Sequence, residues 1–259
     1  MIRKSLRLVL ILASFLCPGL AVQARSLSVC IGDEDFAPYS FLEHEAPGQY
    51  LVRNALERRH DKPVYTIAPW RRCIEGLRTQ TFDAVIGVAA NESFYSFLSL
   101  PMREGKADPQ RSLGGAAFMV VRWRGSPVDW DGEQFSHLRE PINYPSGIIV
   151  VRERLAKLGV PSTDVVKTPA QMMRMLVLHR IDAAIVRRAE TEIQLERPEF
   201  QGKLEMLSRP LIAWDGYLAI RRPLCDTEPD YCQAIWDEIG RIKSARGWAK
   251  TSEQLLRGQ

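Results

Sequence analysis

Two short segments, Phe82-Asp83-Ala84-Val85-Ile86 and Ile181-Asp182-Ala183-Ala184-Ile185, carry the same apolar run behind an aspartate, 99 residues apart. Each closes a similar alternation of strand and helix patterns. Before the first copy, Leu27, Val29 and Ile31 alternate with Ser26, Ser28 and Cys30, the period of a strand. Gly48 then precedes a helical stretch with Leu51, Ala55 and Leu56 on one face, and Val64-Tyr65-Thr66-Ile67 reads as a second strand. Trp70, Cys73, Ile74 and Leu77 fall at helical spacing. Before the second copy, Ile142-Asn143-Tyr144 is a short strand, and Ser146-Gly147 opens a helix carrying Val151, Leu155 and Leu158 that stops at Gly159 and Pro161. Val165-Val166 reads as a strand, and Thr168 caps a helix with Pro169 at its first position and Met172, Met173 and Leu176 inward. Strand, helix, strand, helix, strand specifies a parallel sheet with right-handed crossovers. Two such units in succession constrain the chain to two connected α/β lobes.

The apolar stretches Ala116–Val121 and Leu211–Ile220 read as strands crossing between the lobes, so residues 25–115 with 216–259 make one lobe and 116–215 the other. Ile235, Trp236, Ile239 and Ile242 lie at helical spacing in a segment that returns to the first lobe. Lobes joined in this way leave a cleft, the usual home of a small ligand.

Residues 1–24 read as an export signal. Arg3, Lys4 and Arg7 form the basic start, Leu8 to Cys17 the apolar stretch, and Ala21-Val22-Gln23-Ala24 a small-residue exit, so the working protein would begin at Arg25 in the periplasm. Removing that segment takes three basic residues and no acidic one, which leaves 32 against 31. Such balance offers no electrostatic case for nucleic acid. Four cysteines remain, Cys30, Cys73, Cys225 and Cys232, and an oxidising compartment favours disulfides, with three connectivities open. The Cys225 to Cys232 loop is short and rich in turn formers, which leaves Cys30 with Cys73; free buried thiols are the alternative. No Cys-x-x-Cys occurs and the four histidines are scattered, so neither a metal nor another cofactor is expected.

Several motifs in order carry a family resemblance: Asp35-Phe36-Ala37-Pro38-Tyr39-Ser40-Phe41, Pro69-Trp70-Arg71-Arg72-Cys73-Ile74-Glu75-Gly76-Leu77, Asp83-Ala84-Val85-Ile86-Gly87, Ser99-Leu100-Pro101-Met102 and Arg180-Ile181-Asp182-Ala183. Together they resemble the type 3 extracellular solute-binding proteins, over nearly the whole exported chain. The resemblance implies a type II periplasmic binding-protein fold, a small-molecule ligand held between the lobes, a monomer, and a membrane permease complex of an ABC-type importer as partner. Family members that bind α-amino acids use a first-lobe arginine for the ligand carboxylate, but the matching stretch here, Ala89-Ala90-Asn91-Glu92-Ser93, has none. They also end a second-lobe strand with an aspartate for the ammonium, where this chain has Arg187-Arg188.

On that topology, Phe36, Tyr39 and Trp70 fall at or beyond the C-terminal ends of first-lobe strands, where they form either an aromatic cleft wall or lobe packing. Asp35, Ala89 and Glu92 lie nearby, and Arg71 either faces the cleft or solvates its helix start. In the second lobe, the helix opening at Ser146 and Gly147 together with Arg187 could hold an oxyanion; the alternative for Arg187 is a solvated strand end. The ligand expected is therefore a small polar or anionic metabolite. A sensory or accessory binding protein without a transport role is the rival reading, and a dehydratase-like enzyme a more distant one, since no nucleophile, metal or phosphate-loop motif is present. The chain is read as a binding protein and not as an enzyme.

Overall fold

The computed structural model describes residues 24–259 apart from 147 and 167. The export signal read over 1–24 lies, but for Ala24, outside the described residues, as does the candidate Gly147. In chain order the elements are β1 (Ser26–Ile31), α1 (Pro47–Glu57), β2 (Lys62–Ile67), α2 (Trp70–Arg78), β3 (Ala84–Ala89), β4 (Leu98–Ser99), the hairpin β5 (Met102–Arg103) and β6 (Lys106–Ala107), and the long β7 (Gly114–Trp123). There follow the hairpin β8 (Asp129–Trp130) and β9 (Phe135–Ser136), β10 (Ile142–Asn143), α3 (Ile149–Lys157), β11 (Ser162–Thr163), α4 (Pro169–Val177), β12 (Ala183–Arg187) and α5 (Arg188–Leu195). The chain ends with β13 (Leu204–Arg221), α6 (Arg222–Thr227), α7 (Pro229–Lys243) and α8 (Trp248–Leu256).

The internal repeat is a structural one. β1 pairs in parallel with β2 on one side and β3 on the other, and β10 pairs in parallel with β11 and β12 in the same order. An antiparallel strand adjoins each triplet: β13 on β3, and β7 on β12. Because β7 and β13 also pair with each other, one nine-stranded sheet runs through both lobes. Packing separates where the sheet does not. Two apolar clusters cover the faces of the first triplet, with α1 and α7 on one side and α2 on the other, and two more, with α3 and α4, cover the second.

The repeated aspartate does the same work twice. Asp83 Oδ2 accepts the Ser28 N–H and hydroxyl at 2.9 Å each, and its Oδ1 accepts Arg221 Nε at 2.9 Å. Asp182 accepts the Arg139 N–H at 3.1 Å and its guanidinium at 2.8 Å. Each carboxylate therefore ties the start of its strand to the chain entering the neighbouring strand. Burial pushes the Asp83 carboxyl up, but the Ser28 N–H, Arg221 and the Ser28 hydroxyl together hold it below the usual carboxylate range. The same balance, with Arg139 as partner, lowers Asp182. A folded-state pKa below the unfolded one gives stability that is present above the ordinary value of about 4 and is lost as pH falls through the folded value. Asp83→Asn must turn an amide N–H toward a donor, so it should cost about 1–3 kcal/mol at pH 7. Urea unfolding at pH 7 and pH 3 should show the gap to wild type narrowing in acid; a pH-independent gap would refute the carboxylate's role.

Side-chain contacts fix the starts of two helices. Thr168 Oγ1 accepts the Gln171 N–H at 3.3 Å, the cap expected before Pro169. Gln49, in the first turn of α1, accepts the Ala46 N–H at 2.9 Å and the Phe41 N–H at 3.0 Å, pinning the long β1–α1 loop onto its helix. Two expectations need correction. The strand read at Val165-Val166 is instead β11 at Ser162–Thr163, and Val165 is 77% exposed, because the edge of the sheet gives it no neighbour to pack on. The helix read from Ser146 starts at Ile149. Arg187 closes β12, and Arg188 begins α5.

The two crossings are β7 and β13. Beyond residue 117, β7 pairs with β12 as well as β13, and from Gly216 onward β13 pairs with β3. Between these runs, Gly114 faces Gly216, Gly115 faces Asp215, Ala116 faces Trp214 and Ala117 faces Ala213. Among the described residues this two-stranded ladder, poor in large side chains on its β7 half, makes the strands of the two lobes one sheet.

Candidate ligand-binding cleft

The parallel strands of both lobes end toward one cavity of about 730 Å³, within the size range of small-molecule sites. The β1–α1 loop brings residues 32–36 to its wall, the start of α2 brings Trp70, and the end of β3 brings Ala89. The second lobe supplies Ile148, Ile149 and Val150 at the start of α3 and Arg187 at the end of β12. The floor comes from the crossing strands: Ile212 and Trp214 share a face of β13 by the two-residue period, and Phe118 is the direct partner of Ile212 across the ladder.

Four aromatic rings line it. Phe36 stands edge-on to Trp70, with centroids 6.3 Å apart, and 6.5 Å from Trp214, which leans on Phe118 at 5.6 Å. Ile149 and Val150 are about half exposed into this space, so apolar surface is left uncovered at the mouth. The Arg187 guanidinium lies over the Phe36 ring, 5.4 Å from its centroid, a cation–π contact that spans the lobes. Arg187 Nη1 reaches Glu190 at 3.2 Å, while its Nε is buried without a partner among the described residues. Asp33, Glu34 and Asp35, on the same loop as Phe36, also line the cavity and are exposed, and Asp35 Oδ1 accepts the Leu42 N–H at 2.9 Å. One cation, itself paired with Glu190, therefore shares an apolar chamber with three further carboxylates.

Of the residues named from sequence, Asp35, Phe36, Trp70, Ala89 and Arg187 come together on this cavity. Tyr39 does not: it is wholly buried under the crossing ladder, where its hydroxyl donates to the Gly114 carbonyl at 3.2 Å and burial pushes its pKa far up. Arg71 is exposed on α2, Glu92 on the short turn after β3, and Ser146 on the turn before α3, and none of the three lines the cavity. Sequence reasoning passed over Phe118, Ile212, Trp214, Asp33 and Glu34. The alternation of Ile212 and Trp214 on a strand already recognised as a crossing was the available signal. The disulfides join Cys30 to Cys73 and Cys225 to Cys232, as the loop-length argument expects, and all four cysteines are buried. The first ties β1 to α2, behind Trp70.

Two α/β lobes, antiparallel crossing strands and a ligand-sized chamber between them define the two-lobed periplasmic binding-protein fold. Solved structures with this fold include the L-cystine solute receptor of Neisseria gonorrhoeae in its unliganded open conformation, with a TM-score of 0.65 at 13% identity over 92% of this chain and 94% of that one. An ancestral cationic amino acid solute-binding protein superposes with a TM-score of 0.65 at 16% identity, covering 89% and 95% of the two chains. A histidine kinase sensor domain similar to periplasmic binding proteins does so with a TM-score of 0.57 at 16% identity, covering 89% and 94%. No family model and no curated protein sequence matches the chain. These neighbours are binding, receptor and sensor proteins. Among the described residues no helix is long and apolar enough to cross a membrane.

Proposed function

We propose that the protein is a periplasmic solute-binding protein of the type 3 extracellular family, which closes its lobes, 25–115 with 216–259 and 116–215, on a small monoanionic ligand and hands it to an ABC-type importer. The observation that carries this reading is the chamber at the lobe junction, with its aromatic lining and single guanidinium. Arg187 supplies the charge-assisted contact to a carboxylate or similar oxyanion, with the first N–H groups of α3 nearby. Phe36, Trp70 and Trp214 take an apolar or aromatic body. Asp33, Glu34 and Asp35 disfavour a second anionic group. An ammonium beside Arg187 would be repelled in a partly desolvated site, which argues against free neutral α-amino acids.

A thermal-shift screen of metabolites on the purified protein identifies ligands, because a compound held only by the native state raises the melting temperature. Calorimetry on the hits, with glutamine and arginine as controls, then tests the contact. Arg187→Ala should weaken a bound organic acid by about ten- to a hundred-fold, the worth of a charge-assisted hydrogen bond. Tight binding of glutamine or arginine, unaffected by Arg187→Ala, would restore an ordinary amino-acid receptor. The kinase sensor domain among the structural neighbours supports a second reading, a sensory or accessory module. Loss of growth on the ligand as sole source, when the gene is deleted, favours import; intact growth with a lost transcriptional response favours sensing.

A further inference from the structure

The crossing ladder has a second cavity beside it. Residues 113–117, on the edge of β7 that β12 does not reach, line a smaller space of about 200 Å³ walled by α5 and α8, and Arg187 borders both this space and the cleft. These two helices belong to different lobes. α5 continues β12 of the second lobe, and α8 follows α7 and packs on α1 of the first, with Trp248 and Tyr50 rings 6.0 Å apart. Across the gap Arg257, at the end of α8, donates Nη1 and Nη2 to the two carboxylate oxygens of Glu196 at 2.6 and 2.8 Å, the bidentate fork geometry. Beneath this pair Leu256 and Ala189 pack against Phe41 and its neighbours in the β1–α1 loop.

We propose that α8 is a strap beside the hinge that resists closure of the cleft. The Arg257–Glu196 fork and the packing of Leu256 with Ala189 are made in this arrangement of the lobes, so a closing rotation that carries α5 away from α8 must break them. Both side chains are substantially exposed, at 33% and 55%, so the restraint is modest, about two- to five-fold in the closed-to-open ratio, and weakens with salt. Because ligand affinity scales with the fraction of protein in the binding-competent form, the strap tunes affinity by the same factor from a site that touches no ligand.

The test uses the unliganded full chain, so its outcome is independent of which ligand the cleft takes. Spin labels on azide-bearing amino acids replacing Glu75 on α2 and Glu153 on α3 report the gap between the lips by double electron–electron resonance, and leave the four disulfide-bonded cysteines alone. Arg257→Ala and Glu196→Gln should each enrich the shorter separation by about two- to five-fold at low salt. The exchanged pair, Glu196→Arg with Arg257→Glu, should return the wild-type distribution. Adding salt should shift the wild type toward closure and leave Arg257→Ala nearly unmoved. Unchanged distributions in both single variants, or a shift to longer separations, would overturn the strap. Should either single variant not fold, the salt titration of the wild type decides, and a distribution insensitive to salt overturns the proposal.

Discussion

Replacing Cys30 and Cys73 together by serine should lower the stability of the folded chain by about 4 kcal/mol. The bridge closes 43 residues, including all of α1 and β2, and so removes much of the freedom of the unfolded chain. Both sulfurs are fully buried against Val85 and Leu77, so the serines also leave two hydroxyls in an apolar cluster. Removing the Cys225–Cys232 bridge, which spans only seven residues, should cost about 2 kcal/mol on the same chain-entropy argument. Differential scanning calorimetry of the two double variants should place the first about 8–16 °C and the second about 4–8 °C below wild type. The reverse order would show that loop length does not govern the contribution of these bridges.

Tyr39→Ala should be comparably severe, at about 3–5 kcal/mol, because the ring fills a space that neighbouring glycines have been cleared to receive. A Cβ built on Gly216 would lie 2.4 Å from the Tyr39 ring, and one on Gly87, itself at φ +85°, would lie 2.9 Å away. Tyr39→Phe keeps the packing and orphans only the Gly114 carbonyl, so about 1 kcal/mol is expected. Gly216→Ala should approach the alanine variant in severity, and combining Gly216→Ala with Tyr39→Ala should cost far less than the sum, since the two residues compete for one volume. Denaturant unfolding of the four proteins checks this. Strict additivity would mean that the ring and the ladder are not coupled.

Tyr39 also shows where the sequence was legible and where it was not. Periodicity placed β1, α1, α2 and β3 within a few residues, because each buries apolar residues against a partner from its own lobe; β2, with Val64 and Ile67 about half exposed, was marked instead by its β-prone run Val64-Tyr65-Thr66-Ile67. The repeated aspartate run located the equivalent strands β3 and β12. What a one-dimensional pattern lacks is the direction in which a loop aromatic turns. Phe36 and Tyr39 sit three residues apart in the same loop with rings 5.0 Å apart, yet one lines the cleft and the other lies inside the lobe. Trp214 was hidden for the complementary reason: a tryptophan in an apolar crossing strand reads as core until the register with Phe118 shows which face is uncovered. Short elements at the second lobe's edge, such as β11 with two residues, carry too little periodicity to be placed.

The core of the first lobe draws on both ends of the chain. Leu27, Val29, Leu51 and Leu56 are sealed by Ile235, Trp236 and Ile239 of α7, with the Trp236 indole donating to the Leu218 carbonyl at 2.9 Å. The second lobe's clusters draw on one continuous stretch between β7 and the first part of β13. A chain that emerges from its N-terminus thus possesses every residue of the second lobe's interior before the first lobe can be completed. Domains fold as units once their parts are present. The chain therefore permits an order of assembly that reverses the order of sequence: the inserted lobe can be finished first, while the opening strands wait for residues 216–259. A truncation that removes α7 and α8 would leave that waiting state permanent, a folded second lobe carrying an unfinished first one.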